Sequence, residues 1–206
     1  MTRGPAARPT TVSTTVSTTV PTPPLDLTPA ARALGGLVTT VTDDDLAAPT
    51  PCTGWTVADL LDHLDVVAAG FTALARGTDD PAPGPGDVPW DGGRRDTLAT
   101  GLARMAGAWR SPAAGEGTAG APGPVLPRAT WGRIGLTELV VHAWDLARAL
   151  DRPVPDLPAD VLRATADHVA VFVPRAPLPE LWGPRVPTGD DAPLWDRVVA
   201  GTGRTP

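Results

Sequence analysis

The sequence has no lysine and no tyrosine, a single cysteine, and no long uninterrupted apolar run. All 17 of its basic residues are arginine; beside 22 glycines and 26 prolines this reads as the compositional bias of a GC-rich genome, and no function follows from it. The lone Cys52 rules out an internal disulfide framework and suits a reducing compartment. No stretch approaches the roughly 20 apolar residues that span a bilayer, so no membrane helix or membrane partner is expected. The start of the chain lacks the continuous apolar segment of a secretory signal, which makes the cytoplasm the expected location. The net charge of -6 argues against nucleic acid as a main partner, since phosphate binding needs a basic face.

A chain of 206 residues fits one domain with appendages. Residues 1–24 contain the run TTVSTTVSTTV followed by PTPP, a low-complexity tract with no apolar face, and read as a disordered tail. Residues 25–206 read as a single domain, with 151–206 packed on the rest. Helical periodicity dominates it. A first helix is predicted from an N-cap at Thr28, with Pro29 in its first turn, to about Thr42. A second starts after Thr56, where Asp59 completes a near capping box, and ends at Gly77; Leu60, Leu61, Leu64, Val67 and Phe71 mark its buried stripe. A third covers about Asp96 to Trp109, a fourth Leu136 to Leu150, a fifth Pro158 to Val173, and a short last helix Pro193 to Ala200. The Pro/Gly-rich stretches 78–92 and 111–129 read as loops, with strand at most in short pieces there. The class is mainly α.

Chemistry concentrates on two of these helices. Glu138 and His142 are four residues apart, about 40° around the helix axis, so their side chains lie one above the other beside the apolar stripe. His63 sits on the flank of the stripe formed by Leu60, Leu64 and Val67. Two helices thus offer a histidine and a Glu/His pair to a common interior, the way bundles build metal sites. Two imidazoles and a carboxylate suit zinc, with a fourth position left for water or substrate, and equally Fe(II), nickel or cobalt. The same residues also read as an ordinary helix-surface pair and a core histidine.

Other residues carry a functional and a structural reading side by side. Asp145 is placed to orient a ligand by hydrogen bonding and Arg148 to grip an anionic group on the cofactor or substrate; both also read as plain helix contacts or ties to the C-terminal segment. Cys52 precedes the second helix while His63 is almost two turns inside it, so Cys52 is expected to be a packed thiol outside any metal shell. His168 falls on an apolar stripe and is expected in the core, with a substitute ligand or proton shuttle as the other reading. Trp55 and Trp144 flank the two motifs as candidate pocket walls.

PTPCTGWTVADLLDHL at residues 49–64 and ELVVHAWDLARAL at 138–150 resemble the two signature segments of mycothiol-dependent maleylpyruvate isomerase-like proteins, of the DinB/YfiT-like superfamily. The closing DDAPLWDRVVAGTGRTP resembles the C-terminal segment of a subgroup of them. The resemblance implies a DinB/YfiT-like four-helix bundle with long crossover loops and a short C-terminal helical extension. It implies zinc, or another divalent metal, on His63, Glu138 and His142, and mycothiol as thiol cosubstrate. A metal-activated thiol attacking a small electrophile, in a transferase or isomerase acting as monomer or homodimer, is the function it implies. The maleylpyruvate isomerases carry a sizeable second domain where a much shorter segment follows Leu150 here, which leaves the substrate open. A non-catalytic metal- or ligand-binding bundle with a stress or regulatory role and a zinc hydrolase are the other readings.

Overall fold

The computed structural model describes residues 25–78, 90–120, 123–176, 182–189 and 191–206; the expected tail, residues 1–24, lies outside them. Among these residues the chain forms α1 (Thr28–Val38), α2 (Val57–Arg76), α3 (Gly92–Trp109), α4 (Arg128–Ala149), α5 (Ala159–Phe172) and α6 (Leu194–Gly201). One antiparallel ladder, β1 (Thr118–Ala119) on β2 (Leu126–Pro127), interrupts the α3–α4 connection. The mainly α expectation holds. Around the bundle, α1 packs on α3, α3 on α2, α2 on α4 and α4 on α1, while α5 packs on α4 and α6 on α5.

α2 forms where its sequence signals place it. Thr56 Oγ1 accepts from the Asp59 N–H at 3.3 Å, the Thr56 N–H donates to Asp59 Oδ2 at 2.8 Å, and Gly77 ends the helix at φ 70°. Leu60, Leu61 and Leu64 are fully buried on its inner face, each contributing roughly 1.5–3 kcal/mol of burial.

Four boundaries differ from the sequence reading. The capping group of α1 is Asp26, whose Oδ1 accepts from the Thr28 N–H at 2.9 Å, so Thr28 itself is helical. α1 stops at Val38 because the Thr39 and Thr40 hydroxyls donate back to Gly36 O and Leu37 O, while Thr42 and Asp45 bond each other in a turn. α3 starts at Gly92 rather than Asp96: Asp91 Oδ1 accepts from the Arg94 N–H at 2.8 Å, and Trp90 Nε1 donates to Asp62 on α2.

The largest difference is α4, which begins two turns early, at Arg128. Its glycines are points of close approach, not breaks. A Cβ on Gly132 would stand 2.9 Å from the Trp109 ring, and one on Gly135 2.8 Å from Phe71 and 3.0 Å from Met105. Every residue from Ile134 to Ala147 is buried, so α4 is the central helix, and over that stretch it is apolar except at Thr137, Glu138, His142 and Asp145. Those polar groups face the interior with the core around them.

Candidate metal centre

α2 and α4 bring His63, Glu138 and His142 together. Glu138 Oε2 is 3.1 Å from His63 Nε2 and 3.1 Å from His142 Nε2, and the two imidazoles meet edge to face with centroids 4.9 Å apart. All three donor atoms lie within 4.8 Å of one another. Glu138 and His142 are buried, whereas the His63 side chain is 28 % exposed and its ring lies 5.1 Å from that of Trp55. The cluster is therefore closed on the α4 side and open past His63 and Trp55.

The electrostatics follow from that enclosure. Burial alone would raise the Glu138 carboxyl, but hydrogen bonds and charge from His142 and His63 overcome it and hold the group at about 2. His142 shows the converse. Burial would lower it, yet Asp145, Cys52 and Glu138 all favour its charged form and carry it well above the ordinary imidazole range. Without a metal, both ring nitrogens of His142 face carboxylate oxygens, Nε2 toward Glu138 and Nδ1 toward Asp145 Oδ2 at 2.9 Å. A proton on Nε2 then occupies the place that a cation would take, and metal binding must displace it.

The donor set fits a metal by its dimensions. Around a tetrahedral zinc ion with ligands at about 2.0–2.1 Å, neighbouring donors stand about 3.3 Å apart. The two 3.1 Å separations at Glu138 match that edge. The carboxylate of Asp145, fully buried and hydrogen-bonded to Nδ1, would fix the ring that presents Nε2.

Cys52 stays outside the group of His63, Glu138 and His142 but meets the residues behind it. Its Sγ donates to Asp145 Oδ2 at 3.2 Å and joins His142 and Asp145 in a second group whose donor atoms lie within 4.8 Å. The loop before α2 folds back to bring it there: Pro49 bridges Thr56, and the Thr50 N–H donates to Trp55 O. Asp145 combines the two readings weighed for it, since it meets both His142 and Arg204 of the C-terminal segment. The Arg204 contact has no signal in residue spacing.

The remaining candidates lie apart from the three donors. Arg148 is exposed at the end of α4, its guanidinium 5.7 Å from the ring of Trp144, which is itself buried. His168 is half-buried on α5, stacked on Phe172 at 4.8 Å; it lines a cavity of about 650 Å³ with Arg133 and Asp26, away from the donors.

Two imidazoles and a carboxylate converging from facing helices form a possible metal-ligand group of the kind that helical bundles build. Comparison with known proteins narrows the class: the chain belongs to the mycothiol maleylpyruvate isomerase N-terminal domain family, whose model matches residues 27–147. Two uncharacterized proteins of Mycobacterium tuberculosis, from strains CDC 1551 / Oshkosh and ATCC 25618 / H37Rv, are each 28 % identical over 189 residues, covering 85 % of this chain and 94 % of theirs. No solved structure matches. No helix among the described residues is long and apolar enough to cross a membrane.

Proposed function

We propose that the protein binds one divalent ion, zinc, through His63 Nε2, Glu138 and His142 Nε2, and uses it to activate mycothiol toward a small electrophilic substrate, as a transferase or isomerase. The observation that supports this most directly is the pair of 3.1 Å contacts on one Glu138 oxygen, made by imidazoles of two different helices. Three protein donors leave one coordination position free. When bound there, zinc supplies the Lewis acidity that holds a coordinated thiol as its nucleophilic thiolate. This accounts for thiol chemistry in a family named for mycothiol, on a chain with one cysteine of its own.

The chain's residues divide the remaining work. Glu138 brings the single negative charge of the donor set, and its burial keeps competing water from it. Asp145 holds the His142 ring. His63, the half-buried ligand, stands at the entrance, where Trp55 offers an apolar face to the body of the thiol or the substrate. Residues 25–206 act as one domain in this reading, in the cytoplasm, as monomer or homodimer.

The test is to incubate zinc-loaded protein with mycothiol and a generic electrophile and to follow loss of free thiol. Conjugation that depends on the protein, and disappears in His63→Ala, supports the reading. Thiol binding without consumption of electrophile identifies a binding protein instead, and no interaction with thiol at all overturns the proposal.

A further inference from the structure

The end of α6 returns the chain to the metal centre. The Gly203 N–H donates to Ala200 O at 3.1 Å and the Arg204 N–H to Val199 O at 2.9 Å, the bond pattern of a Schellman turn. Gly203 makes that turn at φ 88°, and a Cβ there would lie 2.6 Å from Gly183 Cα, so a larger residue would force the backbones apart. Arg204 is thereby aimed at α4. Its Nε donates to Asp145 Oδ1 at 3.1 Å and its Nη2 to Asp145 Oδ2 at 2.8 Å, a two-pronged grip on one carboxylate. Nη1 donates to Thr202 O at 3.0 Å, and the Trp182 ring lies 5.7 Å from Cζ.

Asp145 is fully buried, and the oxygen that takes Nη2 is also the one that faces His142 Nδ1. A lone carboxylate at such a position would turn toward another partner. We infer that Arg204 is a positioning residue of the metal centre, acting through Asp145 to fix the His142 ring so that Nε2 is presented to the ion. This rests on the metal reading above. The same guanidinium decides the fate of the second donor group. Cys52, His142 and Asp145 are close enough to share an ion, but Nη2 already reaches both Asp145 Oδ2 and, at 3.4 Å, Cys52 Sγ. A cationic group therefore fills that place, and Arg204 directs the metal to the His63 side. Repulsion between the guanidinium and a bound ion opposes this effect. It is the smaller of the two, because the Asp145 carboxylate and the His142 ring stand between them.

Zinc affinity, read by competition with a chromophoric chelator, tests the inference in the full-length protein. Arg204→Gln lowers affinity by roughly 10- to 100-fold, the usual cost of losing a group that orients a ligand. Asp145→Asn does the same, and the double variant binds no more weakly than Asp145→Asn alone, because Arg204 acts only through Asp145. In Arg204→Ala, guanidinium ion at non-denaturing concentration restores part of the affinity while sodium chloride of equal ionic strength does not. If Arg204→Ala fails to fold, Arg204→Gln, which keeps most of the volume, carries the measurement. Arg204 variants that bind zinc as wild type does or more tightly, including variants that lose only folding stability, overturn the inference, as do losses that add in the double variant. Wild-type protein that takes up no zinc is a separate outcome, which overturns the metal reading and this inference with it.

Discussion

Replacing Glu138 by glutamine isolates the electrostatics of the centre in metal-free protein. The carboxyl falls from 4.5 to about 2 on folding, in a group that is only 4 % exposed. By linkage, each unit of that difference is worth about 1.4 kcal/mol. A depressed carboxyl stabilises the fold above its unfolded value and loses that contribution as pH falls toward its folded value. On these figures Glu138 contributes roughly 3 kcal/mol at pH 6 and roughly 1 kcal/mol at pH 3. His142 is raised, so its own contribution is complete below 6.5 and stays constant across this window. Asp145 remains as a second partner of the imidazolium in the variant and softens the loss. Glu138→Gln should therefore cost about 2–3 kcal/mol at pH 6 and about 1 kcal/mol at pH 3, measured by urea unfolding of metal-free protein at both pH values. A difference below about 0.5 kcal/mol at pH 6, or one that does not shrink on acidification, would refute the charge assignment.

Two further predictions concern parts of the fold away from the donors. Burial, aided by the charge of Arg133, depresses His168 from 6.5 to about 4, so the unfolded chain binds the extra proton and stability falls as pH drops between those values. Allowing for its partial exposure, wild type should lose on the order of 1–2 kcal/mol more than His168→Gln over that range, read from paired denaturation curves; parallel pH profiles would contradict it. On α4, Gly135→Ala places a Cβ 2.8 Å from Phe71 and should cost on the order of 1–2 kcal/mol. Gly36→Ala on α1 meets nothing within 4 Å and should stabilise by roughly 0.5–1 kcal/mol through helix propensity. Thermal unfolding of both variants checks the pair, and shifts of the same sign would show that glycine packing on α4 has been misjudged.

The helices were legible in the sequence wherever local signals set them. Thr56, Asp59 and Gly77 bound α2 through hydrogen bonds made within a few residues, and its leucines follow a single period. α4 was legible only from Leu136 onward, where its apolar period starts; Gly132 and Gly135 lie before it. Their value lies in Trp109, Phe71 and Met105, which sequence spacing does not bring near. The site divides along the same line. Glu138 and His142 are paired by helix geometry alone, whereas the meeting with His63 depends on how α2 packs on α4; the helix faces left it open beside a core histidine, and the family resemblance singled it out. Cys52 and Arg204 reach Asp145 across 93 and 59 residues, through a folded-back loop and a glycine turn that leave no periodic trace.

The central claim, one divalent ion on His63, Glu138 and His142, is tested most directly by zinc stoichiometry and affinity in wild type beside His63→Ala, Glu138→Ala and His142→Ala. The account predicts about one zinc per chain in wild type and, in each variant, affinity lower by roughly 100-fold or more, since one of three protein donors is gone. Wild-type protein that takes up no zinc, or variants that keep wild-type stoichiometry and affinity, would contradict it.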